Sequence, residues 1–407
     1  MLACDPHLTE LELQPHIPAR IIFNVETAYI GLVKELASKT PTIMPILRTL
    51  TAKIPLPQHA AINGEKRFYR LTNHNRSFCY ALSDVGNIFA SPAVVFKGVE
   101  PLLPDFNKVV DWMLLAPFRK SSRVMADHFP LSEGKIPGAL CLSEAIRECT
   151  IAAEIQSKHC RYYGELARLP VPLLVHSVSV EQNEDCLLLM RRKLAAVAFE
   201  RIELSLKAGL GIYIYCYPVA PIRADAYGTG GNRNVMEYVK AYCSPEVMVS
   251  RWIQLLVRLL YLGYLPYTPR NEGFGACMDF GNAGLDGGFC DLDSIQPASS
   301  APDDEFFFES LITSLTIMQE TVAGVASAAC GLAHSYLYPR INDFVLWRYV
   351  CSAFERALEI EARPGLRLDS RVRDILSPKS IVDLKRLLDR KYRPNNLLQY
   401  LNRDAGK

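Results

Sequence analysis

"PAVVFKG" occupies Pro92–Gly98. Ala93, Val94, Val95 and Phe96 form an unbroken apolar run with two β-branched residues, bounded by proline and glycine, which predicts a strand. Because the run is apolar throughout, its end points along a buried surface. Lys97 stands at that end. A lysine there is either a solvated strand terminus or a buried ammonium that requires a charged partner. A partner is available about fifty residues on. A helix is predicted from Ser143 as N-cap with Glu144 in its first turn, continuing through "EAIRECTIAAEIQSKHC". Glu148 lies in its middle beside an apolar stripe of Ala145, Cys149 and Ala152. Glu144, one turn earlier, is the alternative partner, or simply an acid at a helix start.

Outward from this pair, "KRFYRLTN" (66–73), "SFCYALSD" (77–84) and "PAVVFKG" read as a small antiparallel sheet of three strands. "VPLLVHSVSV" (171–180) and "GLGIYIYCYPVAP" (209–221) are further strands, the second ended by prolines, with a helix near 187–207 between them. Residues 1–60 read as an irregular start plus a helix, "FNVETAYIGLVKELAS", and 102–140, with Pro104, Pro117, Pro130 and Pro137, as an insertion. Beyond 221 the character turns helical. "SPEVMVSRWIQLLVRLLYLG" is a helix with Ser244 as cap and Gly263 as stop, and further helices are expected over 303–335, 341–361, 368–375 and 379–390. Strands first and helices after, with one embedded hairpin, make an α+β fold with segregated lobes. The division expected is 1–60 as a helical extension, 61–220 as a β-rich N-lobe carrying the insertion, and 221–407 as a helical C-lobe.

The chain's 407 residues are 49% hydrophobic and 22% charged, an ordinary globular balance. A net charge of +2 offers no bulk attraction for nucleic acid or a membrane surface, and neither is expected as a partner. The 12 cysteines include no CxxC pair, and His159-Cys160 lacks a second pair, so reduced, mostly buried thiols are expected rather than zinc. The N-terminus has no basic-then-apolar order; the apolar segment 249–264 is too short for a membrane span and carries Arg251 and Arg258, and the longer one at 311–338 is interrupted by Gln319, Glu320 and His334. A cytoplasmic protein is the expectation, with secretion by a route lacking a cleaved signal as the alternative.

The embedded hairpin is "GNAGLDGGFCDLDSI", 281–295. Asp286-Gly287 is a two-residue turn signal that predicts short strands over Ala283–Leu285 and Gly288–Cys290. Asn282 precedes the first strand and Asp291 follows the second, so their side chains are brought near one another. An amide oxygen and a carboxylate there suit a hard cation such as Mg²⁺. The bland alternative is a turn asparagine and a capping aspartate. A lysine on a strand, a glutamate on a helix, and an Asn and Asp for metal, in this order, are the parts of kinase-like folds.

"VVFKGVEP" with Lys97, "IRE" at Ile146–Glu148 and "MDFGNAGLDGGFCDLD" together resemble the selenoprotein O (protein adenylyltransferase) family of the kinase-like superfamily. The resemblance implies a two-lobed kinase fold binding ATP and Mg²⁺, with Lys97 and Glu148 as the ion pair. Asn282 and Asp291 would be the metal ligands, nine residues apart around the hairpin. It also implies AMP transfer to protein hydroxyls from ATP bound in a reversed orientation. "MDFG" at 278–281 is similar to the metal-binding Asp-Phe-Gly of protein kinases, which would make Asn271 and Asp279 the ligands instead. In the preferred reading Asp279 is the general base that accepts a substrate hydroxyl proton, and Asp293 assists the metal site. The glycine-rich "YGTGGNRN" (227–234) lacks the phosphate-loop pattern and reads as a flexible loop, and "FRKSSR" (118–123) as a solvated basic surface. The expected function is transfer of a phosphoryl or AMP group from ATP to a hydroxyl of a protein or small-molecule acceptor. The alternative is a catalytically inactive pseudokinase scaffold that binds a protein partner, motivated by the single glycine in "LSDVGNIFASP" before the lysine.

Overall fold

The computed structural model describes residues 8–10, 14–17, 20–24, 54–56, 68–71, 77–81, 92–99, 139–178, 180–193, 200, 203, 207–217, 245–266, 284, 286–290, 292, 295–304, 306–308, 310–312, 314–315, 318 and 344–375. They form a mixed α/β structure divided into two compact units. The first comprises residues 1–153, 171–216 and 392–407, and the second 154–170 and 217–391.

The first unit is built on one seven-stranded sheet. Its strands are β1 (Leu8–Glu10), β3 (Arg20–Asn24), β5 (Phe68–Leu71), β6 (Ser77–Ala81), β7 (Ala93–Lys97), β8 (Val171–Ser177) and β9 (Gly211–Tyr217). Their spatial order is β1-β5-β6-β7-β9-β8-β3. Strands β5, β6 and β7 pair antiparallel in succession, with Ser77 opposite Lys97 and Ala81 opposite Ala93. This is the meander read from the sequence. Strands β8 and β9 pair antiparallel as well. The central strands are buried along their length, which explains why β7 and β9 lack an apolar–polar alternation. A separate pair joins β2 (Gln14–Ile17) to β4 (Ile54–Leu56).

Residues 1–60 depart from the helical extension expected of them. Their described parts are strands: β1 extends the sheet beside β5, and β3 pairs with β8 from about 150 residues away. Phe23 and Asn24, the first residues of the expected helix, belong to β3. The rest of that helix lies outside the described residues. The three-stranded sheet is therefore the centre of a wider one, completed by strands whose partners are remote in sequence.

Helix α1 spans Leu142–Tyr163. It begins one residue before the expected cap. The Cys141 carbonyl accepts the Ala145 N–H at 2.9 Å, and Cys141 bridges to Leu210, so the entry to the central strand β9 sets the helix start. Gly211 lets the helix sit close, and Gly98 lets the chain after β7 sit close to Gly211 and Leu140. A Cβ on Gly211 would lie 2.9 Å from the Ala145 Cβ, and one on Gly98 only 2.5 Å from the Gly211 carbonyl oxygen. Gly98 also has φ +93°, the left-handed region. Gly98→Ala should cost at least ~2 kcal/mol, from the backbone penalty of ~1–2 kcal/mol plus the overlap. Chemical denaturation measures it, and a change below ~0.5 kcal/mol would contradict the packing. Helix α2 follows at Val180–Lys193, starting before the 187–207 expected, and Glu200, Glu203 and Lys207 within that range are helical as well.

The second unit holds α3 (Pro245–Tyr261), the antiparallel pair β10 (Tyr264–Pro266) and β11 (Ile295–Pro297), α4 (Phe344–Ile360) and the short α5 (Ser370–Ile375). Gly263, at φ +86°, follows α3 as the stop expected of it. Met248, Val249, Trp252, Ile253, Leu256, Val257, Leu259 and Leu260 are buried, the helical spacing of a core-facing helix. Among the described residues no helix is long and apolar enough to cross a membrane.

Candidate functional site

Lys97 and Glu148 meet. The Lys97 Nζ donates to both Glu148 carboxylate oxygens at 2.8 Å. Both residues are buried, at 4% and 2% exposure. The strand brings the ammonium to its end inside the sheet. The helix brings the carboxylate one turn beyond the point where Ala145 packs on Gly211. Ala145, Cys149 and Ala152 are fully buried beside it, as their spacing requires. The partner is thus Glu148 and not Glu144, which is partly exposed in the first turn of α1. Cys149, next to Glu148, is no nucleophile: burial and the neighbouring carboxylate push its thiol well above the ordinary range. Burial likewise pushes Cys186 and Cys216 up to about 12.

The hairpin residues Gly284, Asp286–Cys290 and Leu292 lie in the second unit. Asn271, Asp279, Asn282, Asp291 and Asp293 lie outside the described residues. Among the described residues, no three His, Cys, Asp or Glu side chains converge as a metal site. The turn itself differs from the one expected. The Gly287 N–H donates to the Gly284 carbonyl at 3.0 Å, and the Gly284 N–H donates to the Gly288 carbonyl at 2.7 Å. That is a three-residue loop ending in a left-handed glycine, with Gly287 at φ +85°, rather than a two-residue turn centred on Asp286-Gly287. The reason is tertiary. Asp286 turns inward and accepts the Gly288 N–H at 3.1 Å, the Phe289 N–H is taken by the Arg168 carbonyl at 3.0 Å, and the Trp252 indole N–H donates to the Gly284 and Gly288 carbonyls at 2.9 and 3.2 Å. The second arm therefore pairs partly with the loop after α1 instead of extending a strand over Gly288–Cys290.

That loop is held by Gln156, which is fully buried in α1. Its side-chain NH₂ donates to the Ala167 and Leu169 carbonyls at 3.1 Å each, and its oxygen accepts the Ala167 N–H at 2.8 Å. Nothing in the sequence marks Gln156 as the residue that fixes this loop, because its partners come from a turn rather than a periodic pattern.

A second buried polar cluster was equally invisible. Glu361, 2% exposed, accepts from Arg258 Nε at 2.7 Å and from the Gln254 amide at 2.6 Å. Arg258 also donates to Glu165 at 2.6 Å and approaches His159 Nε2 at 3.2 Å. His159 Nδ1 lies 2.7 Å from the Glu165 carbonyl, which it meets as an N–H donor. The imidazole is thus neutral. Burial, aided by Arg258 and opposed by the Glu165 hydrogen bond, lowers its pKa to about 4. The unfolded His takes a proton below about 6.5 and the folded one only near 4, so this residue's contribution is intact above 6.5 and lost as pH falls to 4. The loss expected is about 3 kcal/mol. Melting temperatures from pH 7 to 4 should fall less steeply in His159→Gln, and parallel curves would refute the assignment.

No family model and no curated protein matches the chain.

Proposed function

We propose that this chain is an ATP- and Mg²⁺-dependent transferase with a two-lobed kinase-like fold, moving a phosphoryl or AMP group to a hydroxyl of a protein or small-molecule acceptor. The observation that supports it is the buried Lys97–Glu148 pair at the end of β7 and the middle of α1. An ion pair in an apolar setting is weak evidence of stability, since packed apolar side chains of the same volume often do as well or better. A chemical role accounts for its presence: the pair holds a cationic donor in a fixed orientation toward phosphate oxygens. In this reading Lys97 holds the phosphates and Glu148 orients Lys97. Asn282 and Asp291 would hold Mg²⁺ with Asp293 assisting them, and Asp279 would accept the acceptor hydroxyl's proton as that oxygen bonds to phosphorus and the P–O bond to the leaving group breaks, releasing ADP after attack at γ or pyrophosphate after attack at α. The cation, when bound, offsets the phosphate charge. Phosphoryl and AMP transfer use the same parts and differ in which phosphorus is attacked.

The test is incubation with ATP labelled separately on the α and γ phosphates. Label transferred from α alone means AMP transfer, and label from γ means phosphoryl transfer. No label from either, with no rise in melting temperature at saturating ATP and Mg²⁺, would overturn the proposal and favour the partner-binding scaffold.

A further inference from the structure

Asp286 has more chemistry than its turn uses. The turn needs one acceptor, and Oδ1 supplies it to the Gly288 N–H at 3.1 Å, while also accepting from the Tyr217 hydroxyl at 3.3 Å. Oδ2 is buried with no hydrogen-bond partner, in a side chain 8% exposed. An asparagine would serve the turn equally well and bring no charge into this setting. Two guanidiniums stand beside it, both turned to the backbone. Arg168 Nη1 donates to the Asp286 carbonyl at 2.9 Å while lying 4.0 Å from Oδ2, and Arg251 Nη1 donates to the same carbonyl at 3.4 Å.

We propose that Asp286 is a proton-operated latch on this hairpin: its neutral form leaves the Arg168 guanidinium on the hairpin's backbone carbonyl, and loss of the Oδ2 proton to water draws that guanidinium onto Oδ2. The groups that face it set the balance. They are Arg168 from the loop after α1, Arg251 from α3, the Tyr217 hydroxyl from the end of β9, and the Cys290 thiol across from Gly284. Burial raises the carboxyl above its ordinary value, and the Arg168 charge opposes that rise. The loop bearing Arg168 is fixed by Gln156, so the side chain moves while its backbone bond to Phe289 stays. The latch changes which oxygen of Asp286 the Arg168 guanidinium holds, while the backbone bonds between Gly284, Gly287 and Gly288 that close the turn stay in place.

Trp252 reports the change, because its indole N–H bonds to the carbonyls of Gly284 and Gly288 on either side of Asp286. The full chain, with ¹⁵N-labelled tryptophan, gives three indole signals. Trp112→Phe and Trp347→Phe identify the Trp252 signal by elimination. Titrated from about pH 4 to about pH 8, that signal should move through one protonation step above the ordinary carboxylate range. In Asp286→Asn it should stay near its acid-form position throughout. In Arg168→Gln the midpoint should move up, since the charge that favours the carboxylate is gone. A Trp252 signal that is flat in the wild type, or that titrates alike in Asp286→Asn, overturns the proposal. If Asp286→Asn does not fold, an unmoved midpoint in Arg168→Gln overturns it instead.

Discussion

Lys97→Met should lower stability by ~3–5 kcal/mol, and Glu148→Leu by a similar amount. Each leaves the other charge buried at 2–4% exposure with its 2.8 Å partner removed. The double variant Lys97→Met/Glu148→Leu should recover most of the loss, because an apolar pair of similar volume has no charge to desolvate. Such a recovery separates a charge effect from a packing effect. Activity is expected to behave differently: label transfer from ATP should vanish in both single variants and remain absent in the double. A stable double variant that still transfers label would remove Lys97 from the proposed chemistry. Single variants that each cost less than ~1 kcal/mol would show that the pair is solvated.

Glu361→Ala should be comparably damaging, at ~3 kcal/mol or more. It strips Arg258 of its buried carboxylate and leaves the Gln254 amide without its acceptor. Glu165→Gln removes the other carboxylate on Arg258, but that side chain is 55% exposed and its charge is screened by water. Its loss should cost under ~1 kcal/mol. The contrast between the two carboxylates of one arginine is the measurement, read as melting temperatures or denaturation midpoints. Equal effects would mean that burial does not set the strength of this network.

Elements whose signals are local were legible in the chain alone. The apolar run 93–96 marks β7, its neighbours mark β5 and β6, the helical spacing of Ala145, Cys149 and Ala152 marks α1, and the Ser244 cap and Gly263 stop mark α3. The Lys97–Glu148 pair was legible too. An ammonium at the end of a buried strand and a carboxylate beside a buried helical stripe each demand a partner, and only a few candidates exist. The place of Glu148 beside the buried stripe favours it over Glu144, and the folded chain bears that preference out, with the helix phase set where Ala145 packs on Gly211. Only the folded chain sets β3 beside β8: no local pattern encodes a partner about 150 residues away. Asp286-Gly287 marked a turn, but the loop's form was decided by contacts from Trp252, Arg168 and Tyr217, which lie 34 to 118 residues away in the chain. The Arg258–Glu361–His159 cluster and Gln156 left no trace in the sequence. A buried polar group is defined by what surrounds it, and its surroundings exist only once the chain has folded.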